Sequence, residues 1–369
     1  MINKSEKWIM VFERFLVEEK MKKLWIFGIL TLLLSGCKSA FTDVSKDVIS
    51  SDIALPENEH YYSAIWLSSN TIIFSKYLTN GDFDPNYLFN TSTNVINNEL
   101  YSYTLDMQEW KKFELSRYLD CHALDIRNLE RLPNNKLGLI QSCRGLKLNV
   151  IQEFDISSHI LQTLFKNTVS PNTEIKWVGP YAFSPDMTEL MQEYPVGSYL
   201  SNQLYYIKLG EKPQRIVPDF LRAMTPAWSP HNREIAFWGT ASYHGDNDPE
   251  LKYTWDIIGL ASYPWDLYIS SPQGGNVRLV LASIENPGDI AWSPTKNIIA
   301  FSGTVKGVDG LWFFDPVTLA VTRIWNERVS FGWSPDGSQI VITYVDYSDF
   351  PEVKDVRANL IQVPEAYLR

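Results

Sequence analysis

The chain is long and rich in apolar residues. It has 369 residues, of which 45% are hydrophobic, 14% are aromatic and 21% are charged. This composition supplies enough apolar surface for a large core and excludes disorder over most of the length. Its 33 Lys and Arg stand against 43 Asp and Glu, which gives a formal net charge of -10. Nucleic-acid-binding proteins are usually basic, so the composition argues against nucleic acid as a partner.

The N-terminal region has the features of an export signal. Residues 1–20 place acidic side chains beside a segment that should be basic, so we expect translation to begin at Met21; a short cytoplasmic helix is the alternative. Residues 21–36 combine two lysines, an apolar run of 11 residues and small residues, which is typical of a signal peptide. The apolar run is too short to cross a bilayer, which takes about 20 residues.

Residues 34–37, Leu-Ser-Gly-Cys, resemble a bacterial lipobox. The resemblance implies that Cys37 carries lipid, that the chain is cut before it, and that the lipid alone attaches the protein to a membrane. A plain signal with a coincidental cysteine is the alternative. Lys38 is not the aspartate that usually signals inner-membrane retention, so the periplasmic side of the outer membrane is favoured in a cell with two membranes. Residues 37–58 are polar and predict a tether.

Residues 59–369 contain six copies of one repeat. In the closest copies an aromatic residue ends one strand, Ser-Pro begins a turn, and a β-branched run forms a second strand. A pair of apolar residues marks a third strand, and a fourth strand follows in five copies. The sequence therefore predicts an all-β, six-bladed β-propeller of four-stranded antiparallel blades. The copies are at 65–74, 130–140, 182–191, 227–237, 291–301 and 332–342.

The sixth repeat lacks room for its fourth strand. Only eight residues follow the apolar pair Leu360-Ile361. We predict that residues 48–53 supply the missing strand and close the ring, which would cover sheet edges that otherwise aggregate. The alternative is that residues 366–368 form a short strand and that residues 48–53 remain in the tether.

The pattern Trp-Ser-Pro-Asp-Gly followed by Ile-Ala-Phe resembles the TolB-type propeller repeat, which also occurs in prolyl oligopeptidase-like peptidases. The resemblance covers residues 60–369. Such peptidases need a Gly-x-Ser-x-Gly elbow and a further domain, and this sequence contains neither. The resemblance to TolB implies an envelope scaffold, although a lipid anchor departs from TolB. The motif is specific for the fold and not for the function.

The histidines and cysteines predict structural roles. The five histidines are scattered and form no His-Glu-x-x-His motif, so we predict no metal site, no cofactor and no enzymatic activity. Cys121 and Cys143 each lie 11 residues from Leu132, so a hairpin about that turn would bring them together in a disulfide. Two buried free thiols are the alternative.

Two insertions repeat one short acidic motif. Residues 81–85 and 245–249 read Gly-Asp-x-Asp-Pro, and each follows the second strand of its repeat, so both should emerge on one face. The aspartates could bind calcium in an irregular site, and the aromatic rings could stack on a sugar or hold a peptide. Ordinary turn chemistry in two solvated loops is the alternative. The candidate binding residues are Asp82, Asp84, Tyr87, Asp246, Asp248, Trp255 and Trp265.

Together these features predict a non-catalytic, lipid-anchored, monomeric propeller of the cell envelope. It would bind a protein or peptide through the channel mouth and the insertions, with exposed aromatic residues as anchors. A propeller that binds or cleaves carbohydrate with its acidic-aromatic insertions is the alternative. A third reading is a propeller that only spaces an envelope complex.

Overall fold

The computed structural model describes residues 41–56, 61–78, 97–113, 129–143, 148–168, 180–195, 202–208, 211–231, 233–241, 265–346 and 355–368. The chain divides into two compact units, Met1–Phe41 and Thr42–Arg369, and all described residues except Phe41 belong to the second. No helix in these ranges is long and apolar enough to span a membrane.

The described chain is built from β-strands and two short 3-10 turns, Pro133–Asn135 and Glu365–Tyr367. The strands of the first half are β1 (Phe41–Asp43), β2 (Ser50–Ile53), β3 (Tyr61–Ser68), β4 (Thr71–Leu78), β5 (Asn97–Thr104), β6 (Glu109–Phe113), β7 (Glu130–Leu132), β8 (Lys136–Cys143), β9 (Leu148–Asp155), β10 (Ile160–Thr168), β11 (Tyr181–Phe183), β12 (Glu189–Pro195), β13 (Asn202–Lys208) and β14 (Gln214–Arg215). Those of the second half are β15 (Phe220–Trp228), β16 (Ile235–Ala241), β17 (Trp265–Ser270), β18 (Arg278–Glu285), β19 (Ile290–Trp292), β20 (Ile299–Val305), β21 (Val308–Phe314), β22 (Val321–Trp325), β23 (Ser330–Trp333), β24 (Gln339–Asp346) and β25 (Asp355–Gln362).

Consecutive strands pair as antiparallel meanders in a propeller arrangement. Four separate four-stranded sheets contain β3–β6, β7–β10, β11–β14, and β23–β25 with β2. Strands β15–β22 and β1 form one nine-stranded sheet. The prediction of six separate four-stranded sheets is therefore corrected to four such sheets and one larger one. The cause is a pairing of β18 with β20, at Ile284–Val305 and Glu285–Thr304, which joins the meanders β15–β18 and β19–β22.

The serine of the repeat organises the turn between the first two strands of a meander. The Ser184 hydroxyl donates to Asp186 at 2.6 Å and accepts from the Glu189 backbone N–H at 2.9 Å. The Ser334 hydroxyl accepts from the Gln339 backbone N–H in the same way, also at 2.9 Å. These side chains satisfy backbone groups that the turn leaves unpaired, so residues of the motif itself stabilise the turn.

The core consists of apolar clusters between neighbouring meanders. Leu132 of β7 packs with Tyr181 and Phe183 of β11, for example. One cluster joins the last meander to the first, because Val341 of β24 packs with Trp66 of β3. The meanders therefore form a closed ring.

The N-terminal segment contributes two edge strands to this ring. Strand β2 pairs antiparallel with β25, from Ser50–Ile361 to Ile53–Ala358, in the outer position that the sequence predicts for residues 48–53. Strand β1 pairs with β22, and Asp43 forms an ion pair of 3.3 Å with Arg323. Residues 41–53 of the segment expected to be a tether thus include two edge strands.

Candidate functional site

The first strands of the meanders surround a central cavity of about 620 Å³. Residues of β3, β7, β11, β15, β19 and β23 line it. Because successive strands are antiparallel, the first strand of a meander begins where its second strand ends. We call this end of the ring the insertion face. Asp289 and Ser330 lie there, at the starts of the first strands β19 and β23. Leu78 and Ala241 also lie there, at the ends of the second strands β4 and β16, just before the two insertions.

Three charged side chains line the described part of this cavity, namely Glu130, Arg131 and Asp289. Glu130 begins β7 in the second meander, and Asp289 precedes β19 in the fifth, so the two carboxyl groups come from meanders that are not consecutive in the chain. When the second and fifth repeats are aligned, Glu130 corresponds to Ala291, so Asp289 lies two residues nearer the insertion face than Glu130 does. The described lining thus includes two carboxyl residues and one arginine.

Glu130 connects the second meander to the third. Its carboxyl oxygens accept the Phe183 backbone N–H at 3.0 and 3.2 Å. Protein surrounds this carboxyl group, and the resulting desolvation raises its pKa to about 8, against the lowering effect of the Phe183 hydrogen bond. This burial therefore favours the protonated form of Glu130 at neutral pH.

Tyr181 lies beside Glu130. Its hydroxyl is buried and has no hydrogen-bond partner among the described residues. Burial, followed by the charge of Glu130, raises the pKa of Tyr181 well above its usual value. Glu130 pairs with Gly138 across β7 and β8, and a Cβ at Gly138 would lie 3.0 Å from the Tyr181 hydroxyl oxygen. The tyrosine hydroxyl and the glutamate therefore occupy the same small space.

Asp289 connects the fifth meander to the sixth. It accepts the Ser330 hydroxyl at 2.6 Å and also a hydrogen bond from the Phe331 backbone N–H. The side chain is accessible from the cavity yet surrounded by protein, and this desolvation raises the pKa of Asp289 despite both hydrogen bonds.

Arg131 lies on the opposite side of β7 from Glu130, because successive side chains of a strand point to opposite faces. Burial lowers the pKa of Arg131. It forms no hydrogen bond or ion pair with any residue in the described ranges. The guanidinium therefore does not neutralise the adjacent glutamate.

A third buried carboxyl group lies outside the cavity lining. Glu193 of β12 accepts the Thr225 backbone N–H at 2.9 Å and so joins the third meander to the fourth. Burial raises its pKa to about 7, against two hydrogen bonds that lower it. Acceptance of a backbone N–H from the next meander is thus a shared structural role, which Glu130 and Asp289 perform in addition to lining the cavity.

Of the residues that the sequence singles out in the insertions, the structure describes only Trp265. It begins β17, and the Arg222 guanidinium stacks 3.8 Å from its ring centre. Arg222 also donates to the Thr240 hydroxyl at 3.2 Å. Trp265 thus fixes the base of the second insertion and does not line the cavity. Asp82, Asp84, Tyr87, Asp246, Asp248 and Trp255 lie outside the described residues.

The predictions for the cysteines and for a calcium site also involve residues outside the described ranges. Cys37 and Cys121 lie outside the described residues, and Cys143 ends β8, so the disulfide and the lipidation stay predictions. Within the described ranges no group of three or more His, Cys, Asp or Glu side chains could hold a metal ion. The irregular calcium site predicted for the insertions also stays a prediction.

Sequence reasoning missed the charged residues of the cavity, although one signal was present. The second repeat has Glu130-Arg131 where other repeats have a small residue and an aromatic residue, as in Ala182-Phe183 and Ala227-Trp228. This departure could have marked both residues. Asp289 precedes the recurring motif, so no comparison of repeats would have found it.

The sequence matches no protein-family model and no curated protein. Solved structures show the fold alone. A protein assigned as a gluconolactonase is 9% identical, with a TM-score of 0.51 over 86% of this chain and 92% of that one. A luciferin-regenerating enzyme is 10% identical, with a TM-score of 0.51 over 86% and 96% of the two chains. TolB from Acinetobacter baumannii is 15% identical, with a TM-score of 0.49 over 72% of this chain and 60% of that protein.

These comparisons overturn one prediction. The sequence predicts that the chain is not an enzyme, because it contains no hydrolase elbow and no metal-ligand motif. That inference is wrong, since solved structures with this fold include a gluconolactonase and a luciferin-regenerating enzyme by name. The lack of those motifs does not exclude catalysis on this scaffold.

Proposed function

We propose that this protein is an exported, lipid-anchored β-propeller that binds a protein or peptide partner at the insertion face of its ring. The observation that carries the proposal is the central cavity of about 620 Å³, to which the first strand of every meander contributes. Ligand sites are usually preformed concave spaces of about 300–1,000 Å³. A space of this size accepts one or two side chains of a partner while the rest of that partner contacts the surrounding face.

The proposal includes a count of six blades. The nine-stranded sheet then consists of two blades, β15–β18 and β19–β22, which the short pairing of β18 with β20 connects. Six inner strands lining one cavity support this count.

The cavity walls suit an apolar or aromatic anchor. Tyr181, Phe183 and Trp228 line one side, and Trp292 and Trp333 line the other. Buried aromatic pockets of this kind are where partner side chains contribute most to binding. The fixed strands hold these rings in place before binding, which lowers the entropy cost of association.

The proposed location rests on the N-terminal sequence. The signal pattern of residues 21–36 and the Leu-Ser-Gly-Cys tetrad support export and lipidation at Cys37. In a cell with two membranes we place the monomeric propeller on the periplasmic side of the outer membrane.

Capture from native envelope membranes tests the proposal. The full-length lipidated protein in detergent serves as bait, beside a variant whose cavity mouth is narrowed by Pro180→Trp. Pro180 lines the cavity, and its carbonyl, which accepts the Glu193 N–H at 3.0 Å, is unchanged by the substitution. Pro316→Trp, in the turn between β21 and β22, is the matched control.

We expect the wild type and Pro316→Trp to retain one specific protein, and Pro180→Trp to retain at least tenfold less of it. The captured protein is then purified and its affinity measured for the three baits. Equal retention by all three baits would refute a site at the cavity.

The cavity also favours a second candidate function. Aromatic rings together with two carboxyl groups are a combination that binds sugars, and Glu130 and Asp289 supply the carboxyl groups here. If the wild type retains envelope polysaccharide and no protein, and Pro180→Trp loses this retention, the result would favour carbohydrate binding over protein binding.

A further inference from the structure

The two carboxyl groups of the cavity lack a positive partner. Neither Glu130 nor Asp289 forms an ion pair within the described residues, and both are held by neutral donors, the Phe183 N–H and the Ser330 hydroxyl. Charged groups surrounded by protein are normally paired, because an unpaired charge loses its hydration without compensation. Both groups are therefore satisfied for hydrogen bonding by neutral donors, and neither has a cation beside it that would stabilise its ionised form.

A second observation at the same wall concerns Tyr181. Its hydroxyl oxygen is buried, has no hydrogen-bond partner in the described part of the chain, and lies over Gly138 beside Glu130. Buried hydroxyl groups almost always have a partner, because an unpartnered one has lost its hydrogen bonds to water without replacing them. The wall between the second and third meanders thus has an unused hydroxyl oxygen beside a carboxyl group that has no cationic partner.

We propose that the cavity binds one monovalent cationic group of the ligand, an ammonium or a guanidinium. The cation passes Asp289 near the insertion face and then pairs with Glu130, and the Tyr181 hydroxyl oxygen accepts a hydrogen bond from it. This inference rests on the proposed function, because it names the chemistry that the partner presents to the same cavity.

Arg131 sets the number of charges that the cavity accepts. With both carboxyl groups ionised, the lining residues Glu130, Asp289 and Arg131 have a net charge of -1. One monovalent cation neutralises that net charge, whereas a second would make the lining net positive. The aromatic walls suit the aliphatic stem that carries an ammonium or guanidinium group in a peptide side chain.

Titration calorimetry on the full-length protein in detergent tests the inference with defined probes. The probes are acetyl-Gly-Lys-Gly-amide and the same peptide with norleucine, which keeps the stem and removes the charge. We expect saturable binding of the lysine peptide and at least tenfold weaker binding of the norleucine peptide. Because burial favours protonated Glu130 at pH 7 and a cation beside it favours the ionised form, binding should release up to one proton, measured by comparing buffers of different ionisation enthalpy.

Variants assign the effect to the named residues. Glu130→Gln keeps the acceptor for Phe183 and removes the charge, so the lysine peptide should bind at least tenfold more weakly and without proton release. Asp289→Asn should weaken binding less, since it lies at the approach, and Arg131→Met should strengthen it severalfold. Glu285→Gln, on the exposed outer strand β18, is the control and should bind as the wild type does. Thermal melts confirm that each variant is folded.

Two outcomes would overturn the inference, and they are separable from failure of the proposed function. Equal binding of the lysine and norleucine peptides, or unchanged binding in Glu130→Gln, removes the cation site. If capture by the wild type still depends on an open cavity mouth in the Pro180→Trp comparison, the proposed function stands and only its cationic chemistry is wrong. If that capture also fails, both fall.

Discussion

The boundary between the fourth and fifth meanders differs from the boundary between the second and third. In the former, Trp292 donates its indole N–H to the Ala227 carbonyl at 3.1 Å, and Trp238 donates to the Gly288 carbonyl at 2.8 Å. Backbone pairing between β18 and β20 adds to these contacts. In the latter, the corresponding polar contact is made by the carboxyl group of Glu130, which accepts the Phe183 N–H.

This difference separates a boundary made of neutral groups from one that contains a titratable group. Indole and carbonyl groups do not change charge with pH, so the contacts of Trp292 and Trp238 are the same at any pH at which the protein folds. Glu130 is stable there mainly as the neutral acid. The boundary between the fourth and fifth meanders is therefore insensitive to pH, and the one between the second and third responds to it, as do the boundaries that Glu193 and Asp289 join.

The largest expected effect is at the neutral boundary. Trp292→Ala removes a side chain that is only 5% exposed, so the free energy of unfolding should fall by about 3–5 kcal/mol through loss of packing. Trp292→Phe removes mainly the bond to Ala227 and should cost only about 1–2 kcal/mol. Chemical denaturation measures both. Similar losses in the two variants would mean that the hydrogen bond, not the packing, dominates this boundary.

The next effect is a dependence of stability on pH at the boundaries that Glu130 and Glu193 join. In the unfolded chain a glutamate ionises near its ordinary pKa of 4.5, whereas in the folded protein Glu130 keeps its proton until about pH 8 and Glu193 until about pH 7. The folded state thus binds more protons in this window, so the free energy of unfolding should fall as pH rises through it. Each raised pKa contributes at most roughly 1.4 kcal/mol for each unit of its shift.

Denaturation from about pH 5 to about pH 8 checks this direction, and Glu130→Gln is the matched variant. The variant should lose part of the pH dependence and be more stable than the wild type at pH 8. Asp155 and Asp186 act oppositely at low pH, because hydrogen bonds from Ser157 and Ser184 hold their pKa values at about 2, so their contribution is lost below about pH 4. Rising stability between pH 5 and pH 8 would contradict the assignment.

A smaller effect is expected where the second insertion joins the ring. Trp265→Leu removes the ring that the Arg222 guanidinium contacts at 3.8 Å, and should reduce stability by about 1–2 kcal/mol. Trp265→Phe keeps an aromatic face and should recover part of that loss. Because Trp265 lies outside the cavity lining, the lysine peptide should bind both folded variants as it binds the wild type. Weaker peptide binding with unchanged stability would assign Trp265 to the site after all.

The smallest effect is expected at the N-terminal edge strand. Asp43→Asn removes an ion pair with Arg323 in which the aspartate side chain is 40% exposed, and such pairs contribute about 0.2–1 kcal/mol. The loss should shrink further at high salt. A loss above about 2 kcal/mol, measured by denaturation, would show that β1 is coupled to the core of the ring more tightly than an edge strand should be.

The fold was accessible from the sequence because its determinants are local. The Ser-Pro turn, seen at Ser184 and Ser334, forms from residues within five positions of one another, and each copy of the motif predicts one meander. The pairing of β2 with β25 also followed from counting strands, since the last repeat was one strand short. The joining of β18 to β20 did not follow, because it depends on how two neighbouring meanders meet.

The site was much less accessible. The acidic and aromatic residues of the insertions, which the sequence predicts as the site, lie outside the described residues apart from Trp265, which contacts Arg222. The charged lining of the cavity was visible only as a departure of Glu130-Arg131 from the repeat. For Asp289 the sequence offered no such signal.

By itself the sequence determined the strands, their turns and their order, because those depend on residues close together along the chain. Only the tertiary structure decided which side chains face one cavity and what state they are in. Glu130 has a pKa of about 8 because neighbouring meanders exclude water from it, and Asp289 lines the same cavity only because the ring closes. Burial and long-range proximity are properties of the closed ring, and no single repeat contains them.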